Sequence, residues 1–417
     1  MITKSLLELS VSISSGLTPL RSNSEFWGKG TIPWLKTEQL GEKYIYETNE
    51  HISTKALDQT SIKIFPENSL SIAMYGEGKT RGNLSILRKP MATNQACCNV
   101  VVDPQKADFE YVYYFLKTQY EELRNLSSGV RKNLNSNDIK GYPIRLPEKL
   151  SEQKAIANVL KSLDDKIELN NRINAELEAM AKTLYDYWFV QFDFPDANGK
   201  PYKASGGKMV YNDALKREIP EGWSDKTLSQ IANITMGQSP AGSSYNEEGT
   251  GTIFYQGSTD FGWLFPSTRQ YTTAPSRMAK KGDILLSVRA PVGDMNIANT
   301  DCCIGRGLAA LNSKTGSDGF LFYVMKYFKQ IFDRRNSEGT TFGSITKNDL
   351  HSLTLAYPTA DLLEKYDEVV TNYNKMIFER SLENRELVNL RDWLLPMLMN
   401  GQVTVKPSTE PQEVQHG

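Results

Sequence analysis

The sequence contains few of the residues that build metal sites, disulfides or membrane spans. Its 417 residues include four Cys and three His, and the cysteines form two adjacent pairs, Cys97-Cys98 and Cys302-Cys303, with no CxxC spacing. We therefore expect no metal site, and cysteines that are small, buried strand residues. No apolar run reaches the length of a membrane span, and the first 16 residues lack the apolar core of a signal peptide. These absences predict a cytoplasmic protein without a membrane partner.

Motifs of nucleotide-binding and group-transfer enzymes are also missing. The sequence has no Asn-Pro-Pro-Tyr motif and no glycine-rich methyl-donor loop after a strand. Residues 73–80 approach a phosphate-binding loop, but Ala73 replaces its first glycine, and residues 81–87 resemble a turn and a strand where that motif needs a helix. Glu152 and Lys154 could form half of a nuclease site, but they lie in the first turn of a predicted helix. We expect a chain with no catalytic centre.

Length and charge indicate several domains with local basic patches. A chain of 417 residues exceeds what one hydrophobic core usually organises. The formal net charge is −1, but Lys and Arg slightly outnumber Asp and Glu in residues 1–150 and 224–358, while acidic residues predominate in 151–198 and 359–417. A polyanionic partner would therefore have to contact local patches of the globular segments.

The longest regular pattern lies in residues 151–192. Apolar residues recur there at heptad spacing without Pro or Gly, and charged residues fill the other faces, which predicts one amphipathic helix of roughly 50 Å. Asn170 and Asn174 form a polar layer in the seam, and such a layer fixes the register of a partner helix. An ordinary core helix of a large domain is the alternative. The seam residues are Ile156, Leu160, Leu163, Ile167, Asn170, Asn174, Leu177, Leu184 and Trp188.

The globular segments repeat one another. Residues 1–150 and 224–358 both consist of short apolar segments between Gly, Pro and Asn, which is typical of α+β domains. Ile-Ser-Ser-Gly-Leu-Thr-Pro at 13–19 is echoed by Ile-Thr-Met-Gly-Gln-Ser-Pro at 234–240, and Asn-Asp-Ile at 137–139 by Asn-Asp-Leu at 348–350. The sequence therefore predicts two copies of one α+β unit, with residues 193–223 as a connector.

The second copy also ends in a long helix, predicted over residues 359–402. Its heptads, read from Leu362, place Val369, Tyr373, Met376, Leu387, Leu390 and Leu394 in a seam, with a polar layer at Arg380 and Glu383. Antiparallel pairing with the first helix brings the two polar layers to one level, as a pseudo-two-fold axis between two copies would require. The composition of residues 403–417 predicts a disordered tail.

Taken together, the chain resembles the specificity subunit of type I restriction-modification systems. The most specific stretches are Ser-Glu-Gln-Lys-Ala-Ile-Ala at 151–157 and Leu-Asp-Asp-Lys-Ile-Glu-Leu-Asn-Asn at 163–171. Tyr-Trp-Phe at 187–189, Asn-Gly-Lys-Pro-Tyr-Lys at 198–203 and Arg-Glu-Ile-Pro-Glu-Gly-Trp at 217–223 add to the resemblance. The second helix departs from the family pattern because it lacks the Ser-Glu-Gln-Lys opening.

This resemblance implies a fold and a set of partners. The two globular domains would be target recognition domains, each reading one half of a bipartite asymmetric site on double-stranded DNA. The two long antiparallel helices would separate these domains as a coiled coil and dock two methyltransferase subunits, with restriction and translocase subunits joining through the complex. No cofactor would be bound by this subunit; S-adenosylmethionine, ATP and Mg²⁺ would belong to the partner subunits.

Candidate DNA contacts can be chosen by side-chain chemistry and by position in the repeat. Arg can read guanine and Asn or Gln can read adenine through paired hydrogen bonds, whereas Lys and hydroxyl groups more often fix the register on phosphate. Arg306 stands in the second copy at the position of Gln95 in the first. In the first domain we select Lys79, Arg81, Asn94, Gln95, Arg131, Lys132 and Asn133, and in the second Arg289, Arg306, Thr340, Thr341, Ser344 and Lys347.

Two other hypotheses stay open at this stage. The chain could be a coiled-coil adaptor whose globular ends bind proteins, or a single-chain enzyme that acts on nucleic acid. A steep salt dependence of DNA binding would distinguish the specificity-subunit hypothesis from the adaptor hypothesis. We also expect the outer faces of the helices to expose Tyr185, Trp188, Phe189 and Trp393 for docking.

Overall fold

The computed structural model describes residues 1–28, 30–76, 80–126, 134–337 and 344–405, and only the backbone of residues 331, 332 and 334–337. The N-terminal segment begins with ten short strands. They are β1 (Ile2–Ser5), β2 (Ser10–Ser15), β3 (Ile32–Leu35), β4 (Tyr44–Ile45), β5 (Glu50–Ile52), β6 (Leu70–Ala73), β7 (Leu84–Leu87), β8 (Ala92–Thr93), β9 (Cys97–Val102) and β10 (Pro143–Leu146). Its helices are α1 (Ser24–Trp27), α2 (Thr54–Gln59), α3 (Phe109–Thr118), α4 (Tyr120–Asn125) and α5 (Ser136–Lys140).

The first long helix, α6 (Leu150–Tyr185), follows and continues as a π-helical turn, Asp186–Val190. The remaining strands are β11 (Met209–Asn212), β12 (Arg217–Pro220), β13 (Ser224–Thr227), β14 (Ala232–Met236), β15 (Tyr245–Asn246), β16 (Thr252–Tyr255), β17 (Tyr271–Thr272), β18 (Met278–Ala279), β19 (Ile284–Ser287), β20 (Met295–Ile297), β21 (Cys302–Ile304), β22 (Leu308–Ser313) and β23 (Thr354–Tyr357). The remaining helices are α7 (Leu228–Ile231), α8 (Asp318–Ser337), α9 (Lys347–Ser352) and α10 (Ala360–Met399).

The chain divides into two compact units. Met1–Asn170 and the chain from Leu382 onward form the first unit, and Asn171–Ser381 forms the second. Each unit therefore combines one globular domain with part of α6 and part of α10. Within the first unit the strands form three sheets, with the orders β2-β9-β6-β7-β4, β5-β3-β8 and β1-β10.

The sheets of the second unit repeat this plan. Their orders are β14-β22-β19-β20, β15-β17-β16-β21-β18, β13-β23 and β11-β12. The antiparallel pair β2·β9 corresponds to β14·β22, and the parallel pair β3·β8 corresponds to β16·β21. The predicted internal repeat of an α+β domain is therefore confirmed. The connector contains the hairpin β11-β12, in which Met209 pairs with Pro220.

Residues that the sequence singled out as structural lie in the sheets. Cys97 and Cys98 belong to β9, Cys302 and Cys303 belong to β21, and all four are free thiols without solvent exposure. Burial raises the pKa of Cys97 and of Cys302 to about 12, so these thiols stay protonated. The near-match to a phosphate-binding loop is followed by the strand β7, where a phosphate-binding loop would have a helix.

Antiparallel helix contacts occur within each unit. In the first unit, Arg391 Nη1 donates to Asp164 Oδ1 at 3.0 Å, and Asn170 Nδ2 donates to Glu383 Oε2 at 2.8 Å and to Asn384 Oδ1 at 2.9 Å. In the second unit, Asn174 Nδ2 donates to the Ser381 hydroxyl at 3.4 Å, and the Tyr366 hydroxyl donates to the Ala181 carbonyl at 3.4 Å. Higher residue numbers on α6 therefore meet lower numbers on α10. The predicted polar partner Arg380 instead donates to the carbonyl of Met376 on its own helix.

Burial along the two helices departs from the predicted seam on α10. On α6, Leu163, Ile167 and Leu184 are half-buried, and the other predicted seam residues are buried. On α10, Tyr373, Met376, Leu387 and Leu394 are half-buried, but Val369 and Leu390 are 36% and 43% exposed, so their assignment to a buried seam was wrong. Val370 and Ile377 are buried in their place. A strict seven-residue repeat drifts by about 20° per heptad on a straight α-helix, so Leu390, four heptads after Leu362, has left the contact face. This drift is too small to explain Val369, one heptad after Leu362.

The expectation of exposed aromatic side chains on the outer faces of the helices was also wrong for three of four residues. Tyr185, Trp188 and Phe189 are buried in the core of the second unit. The Phe189 ring lies 4.8 Å from that of Phe320 and 5.0 Å from that of Tyr366, measured between centroids. Trp393, on α10, is 58% exposed as expected. The Tyr-Trp-Phe sequence therefore anchors the helix to its own domain through aromatic contacts.

A buried polar cluster joins the first domain to both helices within the first unit. The Lys43 ammonium lies 2.9 Å from Glu110 Oε2, 3.4 Å from Asp164 Oδ2 and 2.6 Å from the Tyr114 hydroxyl. Tyr114 donates in turn to Asp164. Burial, with the nearby carboxylates of Asp164 and Glu110, raises the pKa of Tyr114, which keeps this phenol a donor. We call Lys43, Glu110, Tyr114, Asp164 and Arg391 the joint cluster.

Candidate nucleic-acid interface

The candidate interface of the second domain is built around a turn of three residues, Gly305, Arg306 and Gly307. The Gly305 amide donates to the carbonyl of Tyr255 at 2.8 Å, and the Gly307 amide donates to the carbonyl of Gln256 at 3.2 Å. This turn directly follows β21 and therefore leaves the sheet next to the end of β16. Arg306, between the two glycines, is exposed.

Close packing fixes the backbone of this turn. A Cβ atom at Gly305 would lie 2.8 Å from Gln256 Oε1, and one at Gly307 would lie 2.7 Å from the Gln256 carbonyl oxygen. The Ser239 hydroxyl lies against the same turn, where it accepts from the Arg306 amide at 3.3 Å and from Gln256 Nε2 at 2.9 Å. The two glycines are therefore required by space, and Arg306 is held on a rigid support.

Three further predicted residues converge on the same side of the second domain. The Ile345 amide donates to the Val288 carbonyl at 2.8 Å, and Arg289 and Ser344 form a β-bridge. Thr346 caps α9 by accepting from the Asp349 amide, so the exposed Lys347 stands at the first position of that helix. Since Val288 also donates to the Gly307 carbonyl at 2.9 Å, one hydrogen-bonded group of loops carries Arg289, Arg306, Ser344 and Lys347.

This group of loops borders an open cleft of about 350 Å³. Its lining includes Ser258, Thr259, Ser287, Arg289 and Gly307. Asp294, the acidic residue of the lining, lies 3.1 Å from the Lys329 ammonium, which it shares with Asp333 at 3.4 Å. Among the residues that the structure describes, no carboxylate lies within 4.0 Å of the Arg289 or Arg306 guanidinium group. The cleft therefore combines hydrogen-bonding groups with cationic charge, as a phosphate-bearing ligand requires.

Two residues of this interface, Arg277 and Ser239, were not among those selected from the sequence. Arg277 is exposed, and its carbonyl accepts the Ile304 amide at 2.9 Å, which places it beside the Arg306 turn. A tertiary hydrogen bond alone brings it there, so no sequence pattern could have selected it. Ser239 could have been found, because it stands in the repeated segment 234–240 at the position that Thr18 occupies in 13–19.

The first domain has an equivalent turn at Asn94, Gln95 and Ala96. The Asn94 amide donates to the Leu35 carbonyl at 2.9 Å, as Gly305 does to Tyr255. The Asn94 side chain accepts the Ala96 amide at 3.1 Å, which stabilises the turn. Gln95 is exposed, and its Oε1 accepts from the Thr18 hydroxyl. Asn94 is thus a support of the turn, whereas Gln95 is presented to solvent.

The other candidates of the first domain are placed differently or fall outside the described residues. Arg81 is half-buried next to Gly82, whose position is packed against Arg124 and Tyr120. Four candidates of the first domain lie outside the described residues, namely Lys79, Arg131, Lys132 and Asn133, and so do Thr340 and Thr341 of the second domain. Leu134 and Ile345 follow two of these stretches and make equivalent hydrogen bonds. The Leu134 amide donates to the Met74 carbonyl, and the Ile345 amide donates to the Val288 carbonyl.

Neither a candidate metal-binding group nor a membrane-spanning helix accompanies these faces in the described part of the chain. No group of three or more His, Cys, Asp or Glu residues is placed to hold a metal ion in residues 1–405 outside the gaps given above. None of the helices, within the same residues, is both long and apolar enough to cross a membrane.

Two similar α+β domains, each presenting a supported polar turn, define a two-domain protein with one candidate binding face on each domain. The family model of the Type I restriction modification DNA specificity domain matches residues 4–179 and 220–375, which include both turns. The chain belongs to this family of type I restriction-modification specificity subunits.

Individual relatives agree with this membership. The chain is 31% identical over 317 residues to the putative type I restriction enzyme MjaX specificity subunit of Methanocaldococcus jannaschii, covering 74% of this chain and 71% of that protein. It is 27% identical over 421 residues to the type I restriction enzyme MjaIX specificity subunit of the same organism, covering 94% and 91%. The crystal structure of the type I restriction-modification S subunit from M. genitalium has the same fold, with a TM-score of 0.63 and 19% identity over 95% of each chain.

Proposed function

We propose that this chain is the DNA-reading, non-catalytic subunit of a type I restriction-modification complex, and that each domain reads one half of a bipartite, asymmetric site. The observation that carries the proposal is the repeated turn. Asn94 and Gly305 make the same backbone hydrogen bond, and each is followed by an exposed side chain capable of reading bases. Because Gln95 and Arg306 differ, the two half-sites differ in sequence.

The division of the chain follows from this role. The target recognition domains are residues 1–150 and 224–358, and the helices of 151–192 and 359–402 form a coiled coil that sets the distance between them. Hydrogen bonds from Asn170 and Asn174 to α10 support this pairing because polar seam residues specify register. The adaptor hypothesis receives no support from the family.

The helices would also dock the catalytic partners. Exposed apolar side chains on α10, Leu390 and Trp393, with Met180 and Tyr187 on the first helix, support a protein-binding role for these faces. We assign two methyltransferase subunits to them, with restriction and translocase subunits joining through the complex. S-adenosylmethionine, ATP and Mg²⁺ would serve the partner subunits, and this chain would supply the DNA sequence preference.

An exchange of one domain tests the proposal. Residues 1–147 are replaced by the equivalent residues of a relative with a different site, the complex is assembled with its methyltransferase subunit, and methylated adenines are mapped in genomic DNA. One half of the methylated motif should change and the other half should remain. The matched control exchanges residues 224–358 and should alter the opposite half.

The same assay can refute the proposal. If both halves of the motif changed after a single exchange while the complex assembled normally, the domains would not be independent readers. DNA retardation at several salt concentrations provides a second readout, because phosphate contacts make binding fall steeply with salt. Binding of proteins but no salt-dependent binding of DNA would favour the adaptor instead.

A further inference from the structure

We propose that positions 95 and 306 are the equivalent base-reading positions of the two domains, with Gln95 reading an adenine and Arg306 reading a guanine. This inference rests on the proposed function and specifies how the two turns act. The other exposed cations of the faces, Arg289 and Lys347 among them, would fix the register on phosphate. Thr18 and Ser239 act as positioning residues.

The backbone places the two positions in the same structural context. The amides of Asn94 and Gly305 donate to the last residue of an equivalent parallel strand, Leu35 at 2.9 Å and Tyr255 at 2.8 Å. The preceding segments agree too: the Leu17 amide donates to Thr93 at 2.9 Å, and the Gln238 amide donates to Ile304 at 3.0 Å. The residue that follows each anchored amide is therefore presented from the same point of the domain.

The glycines of the repeated segments 13–19 and 234–240 allow this close approach. A Cβ atom at Gly16 would lie 2.1 Å from the Thr93 carbonyl oxygen, and one at Gly237 would lie 2.2 Å from the Gly305 carbonyl oxygen. Side chains larger than hydrogen are excluded at both positions. Each base-reading turn therefore packs closely against a glycine at the end of a strand. This packing limits the motion of the turn.

A hydroxyl side chain supports each turn from the same repeat position. Thr18 and Ser239 occupy equivalent places in the echoed segments. The Thr18 hydroxyl donates to Gln95 Oε1, and the Ser239 hydroxyl accepts from the Arg306 amide at 3.3 Å. Ser239 also exchanges hydrogen bonds with Gln256, at 2.9 and 3.1 Å. Thr18 therefore orients the side chain of Gln95, whereas Ser239 orients the backbone of Arg306.

The residue types favour base contacts over phosphate contacts. A conserved phosphate contact would be strengthened by positive charge in both domains, but the charge of Arg306 is absent from its counterpart Gln95. Arg and Gln share instead the capacity for two parallel hydrogen bonds to one base edge, Arg to guanine and Gln to adenine. Such paired bonds depend on orientation, and a rigid turn supplies it. Equivalent positions that differ in charge but share this capacity are expected where two domains read different bases.

The test exchanges the two side chains. Arg306→Gln and Gln95→Arg are introduced separately into the full chain, and each variant is assembled with its methyltransferase subunit. Arg306→Gln should convert one guanine of the second half-site into adenine, and Gln95→Arg should convert one adenine of the first half-site into guanine. Preference at that single position should shift by about 5- to 150-fold, the discrimination of one bidentate pair. Mapping of methylated sites measures the motif.

Two matched variants distinguish the reading of a base from the effect of positive charge and from the support of the turn. Lys347→Gln removes an exposed charge of the same face, and should lower the salt slope of DNA binding by about one without changing the motif. Ser239→Ala should weaken discrimination at the Arg306 position and leave the salt slope unchanged, and Ser239→Thr should restore discrimination. A variant that no longer methylates is compared with wild type by retardation of DNA panels carrying each base at each position.

The outcomes distinguish this inference from the proposed function. If wild type methylates a bipartite motif but Arg306→Gln leaves that motif unchanged, or weakens all sequences equally with a lower salt slope, Arg306 is a phosphate contact and the inference is wrong. If the wild-type complex has no sequence preference at all, the proposed function itself fails.

Discussion

The joint cluster offers the sharpest test of how the first domain is held on its helices. We consider Lys43→Met, which removes the ammonium group and keeps most of the side-chain volume. Lys43, Glu110 and Asp164 have side chains that are 11%, 7% and 13% exposed. After the substitution, Glu110 keeps the hydrogen bond from the Tyr44 hydroxyl at 2.7 Å, and Asp164 keeps Arg391, but both carboxylates lose their shared cation.

The expected loss of stability follows from the distances between the charged atoms. At an effective dielectric constant of about 20, two unit charges 3 Å apart attract one another by about 5 kcal/mol before the cost of desolvation is subtracted. Removing one member of a buried ion pair typically costs about 3–5 kcal/mol, because the partner charge stays buried without compensation. The Oε2 atom of Glu110 is shielded from solvent and has no aligned hydrogen bond from the described residues, so it depends on Lys43. We expect a loss of about 3–5 kcal/mol in the first unit.

Hydrogen exchange measured by mass spectrometry on the full chain is the appropriate assay. Two compact units need not unfold together, so a single global free energy would be ill defined. Peptides covering α3 should exchange faster in Lys43→Met, while peptides covering residues 318–330 of the second unit serve as an internal reference. Lys106→Met is the matched control, because Lys106 pairs with Asp103 at 3.3 Å on the surface with 47% of its side chain exposed, and should cost less than about 1 kcal/mol.

One result would refute the reasoning. If Lys43→Met changed the protection of α3 no more than Lys106→Met does, the joint cluster would contribute no more than a surface ion pair. Lys43→Met combined with Glu110→Gln should recover part of the loss, because the double substitution leaves one fewer buried charge.

Two further outcomes are expected. Asn170→Ala should destabilise the helix pair of the first unit by about 1–3 kcal/mol, since two hydrogen bonds disappear and one acceptor is the Glu383 carboxylate; unchanged exchange of residues 160–170 would contradict this. Thr346→Ala should cost about 0.5–2 kcal/mol in the stability of α9 by removing its N-cap, measured by hydrogen exchange of residues 347–352 with Thr354→Ala as a control. Hydrogen bonds from the Thr346 hydroxyl and amide hold the pKa of Asp349 below its usual value, so the capping contribution should be present at neutral pH. The part that comes from the Asp349 carboxylate should be lost as pH falls below about 4, through the lowered pKa, whereas the hydrogen bond from the Asp349 amide to the Thr346 hydroxyl does not titrate; an effect of Thr346→Ala that is the same at pH 7 and pH 3 would contradict this linkage.

Features that follow from residues repeated at a fixed spacing could be predicted from the sequence. The uninterrupted heptads of 151–192 predicted α6, and the echo of 13–19 at 234–240 predicted two copies of one α+β unit. Burial of the paired cysteines was predicted because they lack CxxC spacing and because the chain has few histidines to complete a metal site. Such features recur at fixed spacing along the chain, so they can be counted without knowledge of the fold.

The face of α10 could not be predicted in the same way. Val369 and Val370 are adjacent and equally apolar, and which one is buried depends on the rotation of a straight helix against its own domain and against α6. The same is true of Tyr185, Trp188 and Phe189, since only the position of Phe320 and Tyr366 makes them core residues. Apolar periodicity identifies a buried side of a helix but does not identify what covers it.

The sequence by itself determined that the chain is a duplicated α+β unit with two long helices, that it resembles a specificity subunit, and that Gln95 and Arg306 correspond. Only the tertiary structure decided that these two side chains stand on anchored turns, that Asn94 supports its turn, and that Lys43 joins a domain to its helices. The physical reason is that these properties depend on hydrogen bonds and ion pairs between residues distant in sequence, such as Lys43 with Asp164 at 3.4 Å and Ser239 with Arg306 at 3.3 Å. Such distances are set by the packing of sheets and helices.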